Sequence, residues 1–374
     1  MAIPVLRRLR GPRTSLVPRT LVALVAILLA ACSNSSSSGS TDGSSSSAAA
    51  DCKSSSSSPV VTLAAYSNVY DVYGKLISAF QDEWKSSHND QQVIFQTSFG
   101  GSTTQATNVV NGFPADIVAL SLDPDVQMIQ KAGLITHDWE NDPENSIVAS
   151  SDVVFDVRPG NPNHIENWND LTQSGLEILT PDPAESGGAK WNIVGAYGAS
   201  MRGQVPGYAK GNADDAEKLL EGIFGNVTVM DKSANDSIKN FQSGNGDVAI
   251  TYEYAVLAAQ KAGLPDQMVI PPSTVDIQTP TVVVDKNAQE HCVEDIANAF
   301  VQYLHTKAAK EIFTTVGYER PVDQKEAAKG DGSTFPAIKD LFTTDDIGGW
   351  DQLLNDTVFG PNGAFTKAQA ATQG

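Results

Sequence analysis

The stretch Gln-Val-Ile-Phe-Gln-Thr-Ser-Phe-Gly-Gly-Ser-Thr-Thr-Gln-Ala-Thr-Asn-Val-Val, residues 92–110, contains the unit that decides the fold. Its first part, residues 92–97, is rich in apolar and β-branched residues and predicts a strand. Its last part has apolar residues at helical spacing and predicts a helix. Between them, Gly100-Gly101-Ser102 allows a sharp turn at the start of the helix. This order of strand, glycine loop and helix is typical of α/β proteins.

Strands and helices alternate along most of the chain. The alternation predicts an α/β fold with two lobes of similar construction, each a mainly parallel sheet flanked by helices. Two late apolar segments, residues 338–342 and 350–354, are predicted as helices that pack back on the first lobe. The predicted strands occupy residues 60–64, 92–97, 115–120, 153–157, 177–180, 227–230, 247–252 and 281–284, and the main predicted helices residues 72–84, 125–132, 236–242 and 293–305.

Two further loops stand in the same position, after a strand and before a helix. Ser186-Gly187-Gly188 follows one predicted strand, and Ser233-Ala234-Asn235-Asp236-Ser237 follows another. Ligands of open α/β sheets bind beyond the carboxyl ends of the strands, where the N-termini of helices attract anions. Each loop alone is also explained as a turn with a capping serine. Three loops at equivalent places predict a cavity of N–H and O–H donors that holds a desolvated dianion.

The N-terminal residues predict export and attachment to a membrane. Residues 1–31 have five arginines and end in an apolar run of eleven residues, which is typical of a signal peptide. Leu-Ala-Ala-Cys at 29–32 resembles a bacterial lipobox, which implies cleavage before Cys32 and a lipid on that cysteine. An ordinary secretory signal is the alternative. Residues 32–58 are a Ser/Gly-rich flexible tether, so we expect an extracytoplasmic lipoprotein on the outer face of the cytoplasmic membrane, or a periplasmic protein.

The charge of the chain excludes one class of partner. Removal of residues 1–31 leaves 20 Lys and Arg (25 less five) against 44 Asp and Glu, a net charge of −24. We expect no nucleic-acid partner, and the charge gives no reason for adhesion to an anionic membrane surface. An anion site on such a chain must depend on local dipoles, because the overall field repels anions.

The remaining reactive side chains do not predict catalysis or a metal site. The five histidines show no spacing typical of either, and the chain has no Gly-x-Ser-x-Gly motif. We therefore expect no enzyme, no metal and no cofactor, with a secreted hydrolase as the remote alternative. Cys52 and Cys292 either form a disulfide or are a tether thiol and a half-buried core thiol, and we expect the second arrangement.

Several longer motifs are more specific than the glycine loops. They are Val153-Val154-Phe155-Asp156-Val157-Arg158-Pro159-Gly160-Asn161-Pro162, Trp168-Asn169-Asp170-Leu171, Ile178-Leu179-Thr180-Pro181-Asp182-Pro183, Ser186-Gly187-Gly188-Ala189-Lys190-Trp191-Asn192 and Gly348-Gly349-Trp350. In these motifs the chain resembles the sulfate-binding proteins of ABC importers, periplasmic or lipid-anchored. The resemblance implies a type II periplasmic-binding-protein fold, with lobes of residues 59–150 plus 277–374 and of residues 151–276. It also implies a monomer that closes over sulfate in the cleft between the lobes and delivers it to membrane permease subunits.

The resemblance also implies which residues hold the anion. In that family the sulfate oxygens are held by backbone N–H groups and neutral donors. Serine supplies hydroxyl and N–H groups, and the tyrosine hydroxyl is an additional donor. The implied ligand residues are Ser67, Asn68, Gly101, Ser102, Ser186, Gly187, Gly188, Ala234, Asn235 and Tyr252.

Four features depart from the family pattern, and one is the absence of the family's aspartate from the first loop. Asn235 stands where the family has arginine, Asp236 where it has glycine, and Tyr252 where it often has tryptophan. We expect Asp236 to cap a helix and point away from the ligand, because a carboxylate acceptor in the pocket would favour phosphate over sulfate. Glu253 is expected to orient a donor or to bridge the hinge. The departures leave thiosulfate, molybdate and phosphate as alternative ligands.

Overall fold

The computed structural model describes residues 58–373. Every element described below belongs to one compact unit. The predicted signal peptide, Cys32, Cys52 and nearly all of the predicted tether lie outside the described residues. Within residues 58–373, no helix has the length and apolar character needed to cross a bilayer.

The described chain forms ten strands that pair into a connected sheet. They are β1 (Val60–Tyr66), β2 (Ile94–Gly100), β3 (Ile117–Ala119), β4 (Ile147–Val157), β5 (Ile178–Pro181), β6 (Val227–Asp231), β7 (Val248–Tyr252), β8 (Gln267–Val269), β9 (Ser273–Val283) and β10 (Asp340–Phe342). Eight of them follow the order β2-β1-β3-β9-β4-β7-β5-β6, while β10 pairs with β9 and β8 pairs with β4.

The sheet has two parallel parts, one in each lobe. In the first lobe β1 pairs in parallel with β2 and β3, and in the second lobe β5 pairs in parallel with β6 and β7. The long strands β4 and β9 join these parts, because they pair antiparallel with each other and with β7 and β3 respectively. The predicted two-lobed α/β architecture is confirmed, while the residue boundaries of the lobes stay a prediction.

Helices cover both parallel parts of the sheet. Helix α4 is the most buried of them: of its residues only Lys190 and Met201 are not buried, since it packs against β9 and α5. The helices are α1 (Tyr70–Ser87), α2 (Ser102–Val110), α3 (Asp123–Lys131), α4 (Gly187–Met201), α5 (Ala213–Phe224), α6 (Ala234–Gln242), α7 (Glu253–Lys261), α8 (Asp285–Glu290), α9 (Glu294–Leu304), α10 (Lys307–Thr315), α11 (Gln324–Lys329), α12 (Gly349–Gln352) and α13 (Ala364–Gln373).

A buried network of charges lies where the chain passes between the lobes on β4 and β9. The Ser150 hydroxyl donates to Asp276 at 2.5 Å, and the guanidinium of Arg320 lies 3.1 Å from Asp152. Arg320 also donates twice to the Glu253 carboxylate, at 2.5 and 2.6 Å. Glu253 therefore bridges the hinge, as one of our two expectations had it. Loss of either partner would leave a buried charge uncompensated, which is strongly destabilising.

Two expectations about the C-terminal segments are wrong. Residues 338–342 do not form a helix, because Asp340–Phe342 pair in parallel with β9. The last helices pack on the second lobe instead of the first. The rings of Trp350 and Trp191 lie 4.8 Å apart, and so do those of Phe365 in α13 and Phe224 in α5.

The expected state of Cys292 is also wrong. This residue is disulfide-bonded, so it is not the unpaired core thiol that we predicted. The other two cysteines of the chain, Cys32 and Cys52, lie outside the described residues. The bond fits an oxidising compartment, because disulfides are rare in the reducing cytosol.

Candidate functional site

A small cavity lies between the lobes, at the carboxyl ends of the parallel strands of both. About 10 Å³ of it is open to the centre of a water molecule, which leaves room for about one small molecule or ion. No charged side chain is present among the described residues that line it. The lining residues are Tyr66, Ser67, Asn68, Gly100, Gly101, Ser102, Ser121, Ser186, Gly188, Ala234 and Tyr252.

Three helices begin at this cavity. Helix α2 begins at Ser102, α4 at Gly187 and α6 at Ala234. The first N–H groups of a helix have no acceptor within the helix, and they carry the positive end of the helix dipole. An anion in the cavity would therefore meet unpaired N–H donors from both lobes without any cationic side chain.

The two serines beside the glycine pairs are bonded differently. The Ser102 hydroxyl donates to Asp125 Oδ2 at 2.6 Å and accepts from the backbone N–H of Ser121 at 2.9 Å. Its single proton is used inside the first lobe, so only its backbone N–H is left for a ligand. The Ser186 hydroxyl makes no capping bond at the start of α4. Its proton is available to a ligand in the cavity.

Tyr252 links the cavity wall of the second lobe to the first lobe. Its hydroxyl lies 2.8 Å from Ser121 Oγ, and either oxygen can be the donor. Burial raises the pKa of Tyr252, so the phenol keeps its proton and is a neutral donor. The carbonyl of Ser121 also accepts from Trp191 Nε1 at 2.7 Å. Ser121 thus contacts both β7 and α4 of the second lobe.

The two glycine loops meet across the cleft. A Cβ atom on Gly101 would overlap the carbonyl oxygen of Glu185, which belongs to the second loop. A Cβ atom on Gly187 would lie 2.7 Å from Ser121 Oγ in the first lobe. The N–H of Thr104 donates across the cleft to the same Glu185 carbonyl at 3.3 Å. The two glycines therefore allow the close approach, because a side chain at either position would overlap atoms of the opposite lobe.

One pair of charges lies behind the first glycine loop, outside the cavity lining. Lys190 Nζ of the second lobe donates to Thr103 Oγ1 at 2.7 Å, and Thr103 Oγ1 lies 3.3 Å from Asp125. Burial raises the pKa of Asp125, and the charge of Lys190 opposes that shift. Burial lowers the pKa of Lys190, and the charge of Asp125 opposes that shift. The two charges compensate each other beside the cavity.

Eight of the ten predicted ligand residues line the cavity, and two do not. Gly187 begins α4 but packs against the first lobe, as described above. Asn235 lines a different cavity, on the far side of Asn68. The eight that the structure brings together are Ser67, Asn68, Gly101, Ser102, Ser186, Gly188, Ala234 and Tyr252.

Asp236 does not line the cavity either. Ser233 caps α6 by accepting from the N–H of Asp236 at 3.1 Å, and the Ser233 hydroxyl donates to the Asp236 carboxylate at 2.7 Å. The expectation that Asp236 points away from the ligand agrees with this placement. The capping residue, however, is Ser233 and not Asp236 itself. The Asp236 carboxylate accepts a hydrogen bond from the side chain of this cap.

Three residues of the cavity wall are not among the predicted ligand residues: Tyr66, Gly100 and Ser121. Ser121 comes two residues after the end of β3, so the rule that ligands bind beyond strand ends would have found it. Tyr66 is the last residue of β1, and its buried hydroxyl has no partner among the described residues. Its neighbours in the strand are mostly apolar, so the local sequence predicts a core residue at this position.

The comparisons with known proteins agree with this architecture. The sulfate-binding protein of Synechococcus elongatus is 36% identical to this chain over 315 residues, which are 84% of this chain and 87% of that protein. The sulfate-binding protein of Escherichia coli K12 is 38% identical over 306 residues, 80% of this chain and 90% of that protein. The structure is similar to that of the sulfate-binding protein SubI from Mycobacterium tuberculosis H37Rv, with a TM-score of 0.71 and 33% identity over 80% of this chain and 99% of that one.

A family model also matches most of the folded part. Residues 61–319 match the model that describes bacterial extracellular solute-binding proteins. That range includes β1 without its first residue, β2 to β9 and all lining residues of the cavity, while β10 lies beyond it. The chain belongs to the family of bacterial extracellular solute-binding proteins.

Proposed function

We propose that this chain captures sulfate outside the cytoplasm and delivers it to an ABC importer. The observation that carries the proposal is the cavity between the two glycine loops. It is lined by neutral donors and by the starts of three helices, with no charged side chain among the described residues that line it. Such a site suits a compact, fully ionised anion that brings no proton of its own.

The absence of a carboxylate from the described lining is what favours sulfate over phosphate. Near neutral pH phosphate still carries a proton and needs an acceptor for it, whereas sulfate has none to donate. Asp125 and Asp236 both come near the loops, but neither lines the cavity, and each accepts a hydrogen bond from a serine hydroxyl, of Ser102 and Ser233 respectively. A site rich in donors therefore discriminates against phosphate by leaving its proton unpaired.

The same proposal includes the position of the protein in the cell. A lipid on Cys32 would hold the chain at the membrane, and residues 33–58 would let the binding domain reach the permease subunits. The bound anion would be released unchanged, and the chain would act as a monomer. Mass spectrometry of the mature N-terminus tests the anchor, since a lipidated Cys32 should be the first residue.

Thiosulfate is the second candidate ligand. The thiosulfate-binding protein of Escherichia coli K12 is 30% identical to this chain over 311 residues, a lower identity than that of the sulfate-binding relatives. Thiosulfate is also a tetrahedral dianion, but one of its corners is a larger sulfur atom. The small cavity favours the more compact of the two ions.

Calorimetric titration of the purified chain, freed of bound ligand, tests the proposal. We expect one sulfate to bind per chain, more tightly than thiosulfate or molybdate, and phosphate to give no heat of binding. Tight phosphate binding without sulfate binding would overturn the proposal. Turnover of sulfate or phosphate esters by the same preparation would favour the hydrolase alternative instead.

A further inference from the structure

A second cavity lies next to the anion cavity and shares one wall with it. Its volume is about 260 Å³. Asn68 lines both cavities and so separates them. The other walls come from both lobes: from α1 in the first lobe, and from α6 and α7 in the second. Opening of the lobes would therefore take this cavity apart together with the anion site.

Glu319 lies in the wall of this second cavity and is almost completely buried. Only 1% of its surface is exposed, and its Oε2 atom has no hydrogen-bond partner among the described residues. It takes part in none of the described ion pairs. The next residue, Arg320, does not compensate it, because its guanidinium is bonded to Glu253 and to two backbone carbonyls. A buried carboxylate without a cation is unfavourable, and such a group takes up a proton instead.

The charge of Glu319 affects two side chains that line the anion cavity. Tyr66 and Tyr252 both line that cavity. Burial raises the pKa of each of these tyrosines, and the charge of Glu319 adds to the shift in both. The Tyr252 ring also packs edge to face on Tyr254, with 5.4 Å between ring centroids, and Tyr254 lines the second cavity. One layer of tyrosine and asparagine side chains thus separates the carboxyl from the anion.

We propose that Glu319 is a proton-binding site coupled to the anion cavity, so that capture of the dianion is accompanied by proton uptake at this carboxyl. This inference rests on the proposed function. A dianion and an ionised Glu319 would repel each other across this layer of side chains. A proton that moves from solvent to a Glu319 oxygen removes this repulsion. Because linkage is reciprocal, protons then strengthen anion binding as the anion strengthens proton binding.

The surroundings of Glu319 allow this titration in the neutral range. Burial raises the pKa of Glu319 to about 8. The tyrosines around it have pKa values raised mainly by burial, so they stay neutral while it titrates. Asp71 and Lys239 are exposed at the same cavity, where water screens their charges. The groups that face Glu319 are Tyr66 on β1, Asp71 and Tyr73 on α1, Lys239 on α6, Tyr252 on β7 and Tyr254 on α7.

Titration of the full chain with sulfate between pH 6 and pH 9 tests the inference. At each pH the binding heat is measured in two buffers of different ionisation enthalpy, which gives the number of protons taken up per sulfate. Sulfate itself does not titrate in this range. We expect uptake of a fraction of a proton that is largest near pH 8. The affinity for sulfate should fall about tenfold for each unit by which the anion raises the pKa of Glu319.

Two variants locate the proton. Glu319→Gln keeps the shape of the protonated side chain and should abolish both the proton uptake and the fall in affinity at high pH. Asp156→Asn is the matched control, because Asp156 is another buried carboxyl, with its pKa raised to about 8 by burial and by Asp266, and it lines neither cavity. That variant should retain the full linkage.

Several results would contradict the inference. Sulfate binding by the wild-type chain without any dependence on buffer would overturn it, whether or not Glu319→Gln folds. Proton uptake that persists in Glu319→Gln would assign the proton to another group. If the wild-type chain bound no sulfate at any pH, the proposed function itself would fail, and the inference with it.

Discussion

The two glycine loops resemble each other in sequence but differ in what they offer a ligand. In the first, the Ser102 hydroxyl is used by Asp125, and the loop presents backbone N–H groups alone. In the second, the Ser186 hydroxyl is uncommitted and adds a donor to the N–H groups. The loops also meet differently, because Gly101 faces a backbone carbonyl and Gly187 faces side chains. We infer that the first loop supports the site and that the second loop completes it when the lobes close.

Gly101→Ala should have the largest effect on this pair. The added Cβ would overlap the Glu185 carbonyl, which is backbone and cannot rotate away. Gly101 has φ −62° and ψ 139°, which alanine adopts without strain, so the folded first lobe should be unaffected. Overpacking costs up to about 3 kcal/mol, so we expect sulfate affinity to fall by about 100-fold or more in calorimetry.

Gly74→Ala is the matched control for that variant. A Cβ atom at Gly74 in α1 would meet nothing within 4 Å. Alanine should raise the free energy of unfolding by about 0.5–1 kcal/mol through its helix propensity and leave sulfate affinity unchanged. Equal affinities for Gly101→Ala and Gly74→Ala would show that the loops do not need to meet.

Ser186→Ala should have the next largest effect. It removes a donor that has no other partner in the cleft, and a hydrogen bond to a charged group contributes about 1.5–3 kcal/mol. We expect sulfate affinity to fall by about 10- to 100-fold at unchanged thermal stability of the ligand-free chain. An unchanged affinity would mean that the Ser186 hydroxyl does not reach the anion.

Gly187→Ala should be milder than Gly101→Ala. Its Cβ would lie 2.7 Å from Ser121 Oγ and 3.0 Å from Leu122 Cγ, and both are side-chain atoms that can move aside. The variant keeps its backbone N–H. We expect a loss of sulfate affinity of about tenfold, from an overpacking cost near 1 kcal/mol. A loss larger than that of Gly101→Ala would mean that the side chains of Ser121 and Leu122 do not move aside.

Ser102→Ala should have the smallest effect on affinity and a clear effect on stability. Asp125 would lose its 2.6 Å hydrogen bond and the buried Ser121 N–H would lose its acceptor, and an unsatisfied buried group costs about 1–3 kcal/mol. The backbone N–H that faces the ligand remains. Denaturant titration should therefore show that the free energy of unfolding falls by this amount in Ser102→Ala and is unchanged in Ser186→Ala. The opposite result would mean that the two serine roles are exchanged.

The comparison also shows what could be predicted from the sequence. The strand-loop-helix unit at residues 92–110 and the position of both loops followed from periodicity, because each unit is a local pattern. The helix predicted at residues 338–342 was wrong because its three-residue strand is defined by its partner β9, which the local sequence does not encode. Strand β4 begins earlier than predicted because its polar residues Ser150 and Asp152 are paired at the crossing between the lobes.

The site was predictable to the extent that it consists of loops at strand ends. Ser102 and Ser186 have the same sequence context, yet only the fold shows that Asp125, 23 residues further on, takes the proton of the first serine. Ser121 was missed because it has no glycine beside it to mark it. Glu319 is distant in sequence from both loops, and its burial next to the cleft depends on the packing of both lobes.

Small-angle X-ray scattering of the purified chain with and without sulfate tests most directly whether the two glycine loops close over the anion. We expect sulfate to reduce the radius of gyration of the wild-type chain and of Gly74→Ala. We expect no reduction for Gly101→Ala at a sulfate concentration that saturates the wild-type chain. Sulfate binding with an unchanged radius of gyration in the wild-type chain, or the same contraction in Gly101→Ala, would contradict closure of the two loops over the anion.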